Sequence, residues 1–467
     1  MTTAPSTQLS AAELLADYAA GRRRPSDVIT ESVARIAETE PTVNAVTEVL
    51  DDALAAAREA DDLWASGTVP ASRPLTGVPV VVKEKHGIAG RPVDQAVPAT
   101  AEVATADHPI VARLRAAGAV PVARTTSPEF CAATTTDSLA HGVTRNPWNP
   151  EFTPGGSSGG SGAALAAGYA PLATGSDIGG STRIPATFCG VVGYKAPYGV
   201  VPGLHPSTMD WYRSDSAMAR TVGDTLLMHN VIAGQHPADP HSLPFGPVTE
   251  PDDGWSVAGR RILVSPSLGD YRADTAILDN LAAASDALAA QGAEIEEVNP
   301  AWTVEELMAV ATAHYGHTLA PTMADVIERT GAEVSPYITQ FIDHTIAAAA
   351  RMPLHRTFER EARIRAELGR LLDGATALLT PVTTKAAVAA EAPAVSVDSH
   401  GMHYWADYLA VPFNICNRHP SLAVPTGFGP TGVPTGLQIV GNAYDQQAVF
   451  RAGFALEQGR PWQTIRP

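Results

Sequence analysis

The chain has 467 residues, 45% of them hydrophobic and 17% charged, a balance that supports a large buried core and excludes an intrinsically disordered protein. Its 32 basic and 49 acidic residues give a formal net charge of −17, which argues against nucleic acid and anionic membranes as partners. Cys131, Cys189 and Cys416 lie far apart with no CxxC spacing, so neither a disulfide framework nor a structural zinc site is indicated, and a cytoplasmic location fits. No signal-peptide pattern follows Met1, and no apolar run reaches the roughly 18 residues that a membrane span needs.

Only four of the 32 basic residues are lysines: Lys83, Lys85, Lys195 and Lys385. A desolvated lysine can lose its proton and an arginine effectively cannot, so each is a candidate for acid–base chemistry. Lys195 and Lys385 are read as ordinary solvated charges.

Residues 1–70 read as a helical arm. Ser10 to Glu13 fits a capping box, with Leu14, Leu15 and Tyr18 at helical spacing; further helices are expected over 26–39 and 51–64. Residues 78–82 form a continuous apolar run typical of a strand buried on both faces, with Lys83 at its C-terminal end. A helix over 108–117 and a strand over 120–124 complete a β-α-β pattern, which favours a mainly parallel sheet. Pro147, Pro150 and Pro154 exclude a central strand before the loop Gly155–Gly162. A small-residue helix (163–167), a strand (172–174) and a second glycine turn (175–181) follow, so two serine-bearing glycine loops flank one short helix. Residues 236–254, with Pro237, Pro240, Pro244, Pro247 and Pro251, read as a surface excursion. Beyond it come a strand (261–264), a helix (273–291), a strand (294–298), a mostly helical stretch (303–373), strands at 375–380, 422–424 and 437–440, and a closing helix (445–458).

Gly155-Gly-Ser-Ser-Gly159 matches the GxSxG pattern, but a nucleophile elbow needs a strand immediately before it, and here the preceding segment is proline-rich. A joint reading of Lys83, Ser157 and Ser181 fits better. The backbone amides of Ile178, Gly179, Gly180 and Ser181 offer consecutive N–H groups suited to an oxyanion hole, and Lys83, held neutral by burial, could serve as base for a serine. His314, His317, His403 and His419 follow no metal-ligand spacing and are read as packing or pocket-rim residues; no metal or cofactor is expected.

These residues carry a family resemblance. The runs 145–161 and 175–185, together with Gly77 to Lys83, Phe188 to Lys195, Met218 to Val222 and Pro434 to Gly441, resemble the amidase signature family across nearly the whole chain, most weakly over 225–370. The resemblance implies one α/β/α domain over residues 1–467, with a large mixed, mostly parallel sheet, a signature core at 71–225 and a variable helical substrate region at 303–373. It makes Ser181 the acyl-forming nucleophile, Ser157 a bridging serine on a cis peptide and Lys83 the terminal base, with the two serines at the family's usual spacing of 24 residues. It also implies that Cys131 lies along the substrate channel opposite the Ser157 loop; packing as a small apolar side chain is an equally good reading. Lys85, His86 and residues 91–95 depart from the family pattern, and Lys85 and His86 are read as solvated. The expected activity is hydrolysis of a small-molecule carboxylic amide. The alternatives are ester, hydrazide or carbamate hydrolysis and the role of an amidotransferase subunit. A homodimer stays open.

Overall fold

In the structure, a computed structural model that describes residues 5–250, 254–392 and 404–463, eleven strands join into one sheet. They are β1 (Val46–Val49), β2 (Pro79–Lys83), β3 (Val120–Thr125), β4 (Leu172–Asp177), β5 (Val192–Lys195), β6 (Ser214–Ala219), β7 (Arg261–Val264), β8 (Glu294–Glu297), β9 (Ala377–Pro381), β10 (Ser421–Phe428) and β11 (Pro434–Val440). Their order in space is β1-β3-β2-β4-β6-β5-β10-β11-β9-β7-β8.

The sheet is mixed. Parallel pairing holds in two wings, β3-β2-β4 and β9-β7-β8, where helices cross over between the strands. In the middle the expectation of mostly parallel pairing gives way: β4-β6-β5-β10-β11-β9 are successively antiparallel. Short connections account for part of this. Five residues link β10 to β11, a length that allows only an antiparallel return.

Alternation along the strands divides the interior into two cores. Val81, Ala173 and Leu378 point into one, which also takes Ile29 and Ile36 from the N-terminal arm and the helices of 304–372. Val80, Val82, Leu172 and Leu379 point into the other, filled by helices that carry Ile110, Leu226, Leu281 and Phe450. The result is the α/β/α layering that the resemblance implies.

The Ser10–Glu13 capping box forms with both reciprocal hydrogen bonds. Two other expectations change. Gly175, Ser176 and Asp177 belong to β4, because β6 pairs with them in register (Ser214 opposite Asp177), so the second glycine turn contracts to Ile178–Ser181. The proline-rich excursion, whose Pro251 lies outside the described residues, folds back on the body: Leu243 N–H donates to the Gly199 carbonyl.

Candidate active site

Lys83 ends β2 and Asp177 ends its parallel neighbour β4, so both lie at the carboxyl edge of that wing, next to the point where the sheet switches to antiparallel pairing. Clefts in α/β sheets open at such edges. The Lys83 side chain is fully buried, and its Nζ contacts three hydroxyls: Ser157 Oγ at 2.7 Å, Ser158 Oγ at 3.0 Å and Ser176 Oγ at 3.2 Å. Burial lowers its pKa to about 8; the nearby Lys85 charge adds to this, while Asp215 and Glu84 oppose it.

Ser157 follows a cis Gly156–Ser157 peptide and directly precedes Ser158, the N-cap of the helix Gly159–Ala166. The two serine loops are tied directly, since Ser158 N–H donates to the Ser181 carbonyl at 3.0 Å. Ser157 and Ser181 line one cavity of about 140 Å³, together with Cys131 and Ile178. The Ser181 hydroxyl has no hydrogen-bond partner among the described residues and lies at the cavity wall. Cys131 is partly buried, its Sγ 3.6 Å from Ser127 Oγ.

The turn Ile178–Ser181 is held from behind. Gly180 has φ +115°, and a Cβ there would sit 2.6 Å from that of Ala410; a Cβ on Gly179 would collide with Trp405. Only glycine fits both positions. Tyr315, on the helix Val304–Thr318, donates its hydroxyl to the Ile178 carbonyl at 2.9 Å. The N–H groups of Ile178, Gly179 and Ser181 have no partner among the described residues, but that of Gly180 is donated to Asp177 Oδ1 at 2.9 Å. Gly180 therefore leaves the expected donor set: its amide braces the turn.

That brace is a buried network absent from the sequence reading. Arg183 grips Asp177 through Nε and Nη2 at 3.0 and 2.9 Å, and its remaining donors reach Asn414 Oδ1, Gln438 Oε1 and the Ala410 carbonyl. Both side chains are fully buried. Burial alone would raise the Asp177 pKa, but the Arg183 charge and hydrogen bonds, with Asn414, hold it well below the ordinary carboxylate range. Removing one partner strands the other charge in the interior. Arg183→Met is accordingly expected to lower unfolding free energy by about 3–5 kcal/mol in a denaturant titration; a loss under about 1 kcal/mol would contradict this account.

Three solvated readings are overturned. Lys85 is only 12% exposed and pairs with Asp215 at 3.0 Å, while His86 is buried and meets the same oxygen through Nε2 at 3.0 Å. Asp215 lies on β6, 130 residues along the chain from Lys85, so only the sheet brings it there. Thr174 Oγ1 accepts from the Lys83 N–H and lies 2.9 Å from His86 Nδ1. A neutral His86 must donate through Nε2 to Asp215, so Nδ1 accepts from Thr174; burial, which lowers its pKa, favours that neutral form. Lys195 is also fully buried, because it ends the interior strand β5. Its ammonium donates to Asn417 Oδ1 and to the His419 carbonyl, and burial, then the charge of Arg183, lower its pKa to about 7. Lys385 is exposed as expected.

His314 is buried between Asp210 and Glu361, 3.0 Å from each, which makes it a packing residue as read; His403 lies outside the described residues. Donor atoms of His86, His108 and Asp215 fall within 4.8 Å of one another, as do those of Glu84, Asp94 and His141. In the first group Asp215 already carries the Lys85 ammonium, which opposes a cation there. Among the described residues no helix is long and apolar enough to cross a membrane.

The sequence model of the family described as Amidase matches residues 27–450. The chain belongs to the amidase signature family. Within it, the chain is 32% identical to the A component of the glutamyl-tRNA(Gln) amidotransferase of Thermosynechococcus vestitus, over 96% of this chain and 97% of that one. It is 31% identical to an acylamidase of Rhodococcus erythropolis, over 98% and 97%. Among solved structures, the amidase-signature fold superposes on that of 6-aminohexanoate cyclic dimer hydrolase in complex with its substrate with a TM-score of 0.83, at 25% identity and covering 98% of each chain.

Proposed function

We propose that this amidase-signature chain hydrolyses a small-molecule carboxylic amide through an acyl-enzyme on Ser181. One observation carries the reading: a fully buried Lys83 with its pKa lowered to about 8 lies 2.7 Å from Ser157 Oγ, and Ser157 lines a cavity that also presents the Ser181 hydroxyl, which has no partner among the described residues. Neutral Lys83 accepts the Ser157 proton while Ser157 takes the Ser181 proton, and Ser181 Oγ attacks the carbonyl carbon. The oxyanion develops against the N–H groups of Ile178, Gly179 and Ser181, which have no partner among the described residues. Ser157 then protonates the departing amine, and water attacks the ester by the reverse relay, releasing the acid. Lys83, Ser157 and Ser181 form the catalytic set, Cys131 lies on the substrate wall, and neither metal nor cofactor takes part.

Hydroxylamine tests this. Incubated with an amide and the enzyme, it should intercept the acyl group as hydroxamate, and quenched protein should carry the acyl mass on the peptide containing Ser181. Hydrolysis without hydroxamate and without that adduct would count against the acyl-enzyme.

A second reading, one component of an amidotransferase, is favoured by relatives such as the Thermosynechococcus protein. The net charge of −17 speaks against contact with a polyanion by this chain alone. Full amide turnover by the isolated chain supports the hydrolase; activity that appears only with co-purifying partner chains supports the amidotransferase.

A further inference from the structure

Arg213 immediately precedes β6, at the same edge as Lys83 and Asp177. Its main chain is anchored: its N–H donates to the Asp210 carbonyl, and its own carbonyl accepts from Asn417 Nδ2 at 2.9 Å. Its guanidinium, by contrast, makes no hydrogen bond or ion pair among the described residues. The half-buried Arg213 lines the cavity that holds Ser157 and Ser181, and also a wider outer cleft of about 950 Å³ that the two serines do not line. It therefore sits where the cleft narrows into the reacting cavity.

The acids that line the inner cavity with it already have donors. Asp177 is gripped by Arg183, Asp215 by Lys85 and His86, and Asp239 by the N–H groups of Gly203 and His241. Asp210, three residues away in sequence, turns one oxygen to His314 and the Tyr212 N–H and the other to Thr318. The Arg213 charge reaches Asp210 only through space, behind the hydrogen bond and charge of His314. Lys85 is taken up by Asp215, which leaves Arg213 as a cation on the substrate path with no direct ion pair among the described residues. A guanidinium presents a planar fork of donors that matches the two oxygens of a carboxylate.

We propose that the substrate is an amide that also carries a carboxylate, which Arg213 holds at the neck of the cavity while the amide carbonyl reaches Ser181. This rests on the amidohydrolase reading above. A single negative charge fits better than a phosphate dianion, because Asp215 and Asp239 remain in the wall and repel a second one.

The test compares ammonia release from glutaramate and from pentanamide, its uncharged counterpart. Wild-type enzyme should favour glutaramate in kcat/KM by about tenfold or more, the size expected for a hydrogen-bonded charge pair. In Arg213→Gln that ratio should fall by about tenfold, whatever the absolute rates. In the wild type it should also shrink as salt rises from about 0.02 to 0.5 M, a readout that needs no variant to fold. A second readout needs no turnover: glutarate should bind the wild type in calorimetry, and Arg213→Gln more weakly. If neither amide is turned over, the amidohydrolase reading fails while glutarate binding still decides the anion site. A wild-type ratio near one, or glutarate binding equal in both proteins, would overturn the proposal.

Discussion

Lys83→Arg is expected to lose about 10²–10⁴ in kcat, the usual contribution of a general base, although it keeps the positive charge. Arginine stays protonated at any working pH and can accept nothing from Ser157. Because Lys83 is fully buried, a larger side chain also has to be accommodated, so Lys83→Met serves as the partner variant: it removes an amine that is costly to desolvate and should fold. Both should be equally inactive, for the same reason. The pH profile gives the sign independently. Below the lowered Lys83 pKa of about 8 the amine is protonated and unavailable, so kcat/KM should fall on the acid side of that value and level off above it. A folded Lys83→Arg enzyme with near-normal turnover, or a rate flat from about pH 6 to 9, would remove Lys83 from the role of base.

Ser181→Ala should cost more, on the order of 10⁴ or greater in kcat, because a lost nucleophile removes the covalent route altogether. Its stability should be near wild type. The Ser181 hydroxyl has no partner among the described residues, so removing it leaves no donor or acceptor stranded. This separates it from Arg183→Met, which is expected to damage folding and activity together. Measuring kcat alongside the unfolding midpoint distinguishes the two. Ser181→Ala protein that melts like wild type and retains more than a tenth of its activity would make another group the nucleophile.

The local elements were legible wherever one short stretch carried its own cause. An apolar run covered on both faces reads as an interior strand, and it placed Lys83 at the end of β2. The capping box at Ser10 to Glu13 needs only its own four residues. The serine loops were legible through small residues at positions where no side chain fits, as at Gly179 and Gly180.

What the sequence could not carry is everything that depends on which strands become neighbours. Lys195 looked solvated because nothing in its local sequence says that β5 lies inside the sheet; Lys85 and His86 looked solvated because Asp215 arrives from β6. The same holds for Gly180, whose amide is claimed by Asp177 from the end of β4, and for Arg213, whose guanidinium is left unpaired among the described residues because the acids of the inner cavity are engaged elsewhere. Composition and periodicity are properties of one segment. Burial, charge pairing and the lowered pKa of Lys83 come from segments far apart in the chain, which only the folded sheet brings within hydrogen-bonding distance.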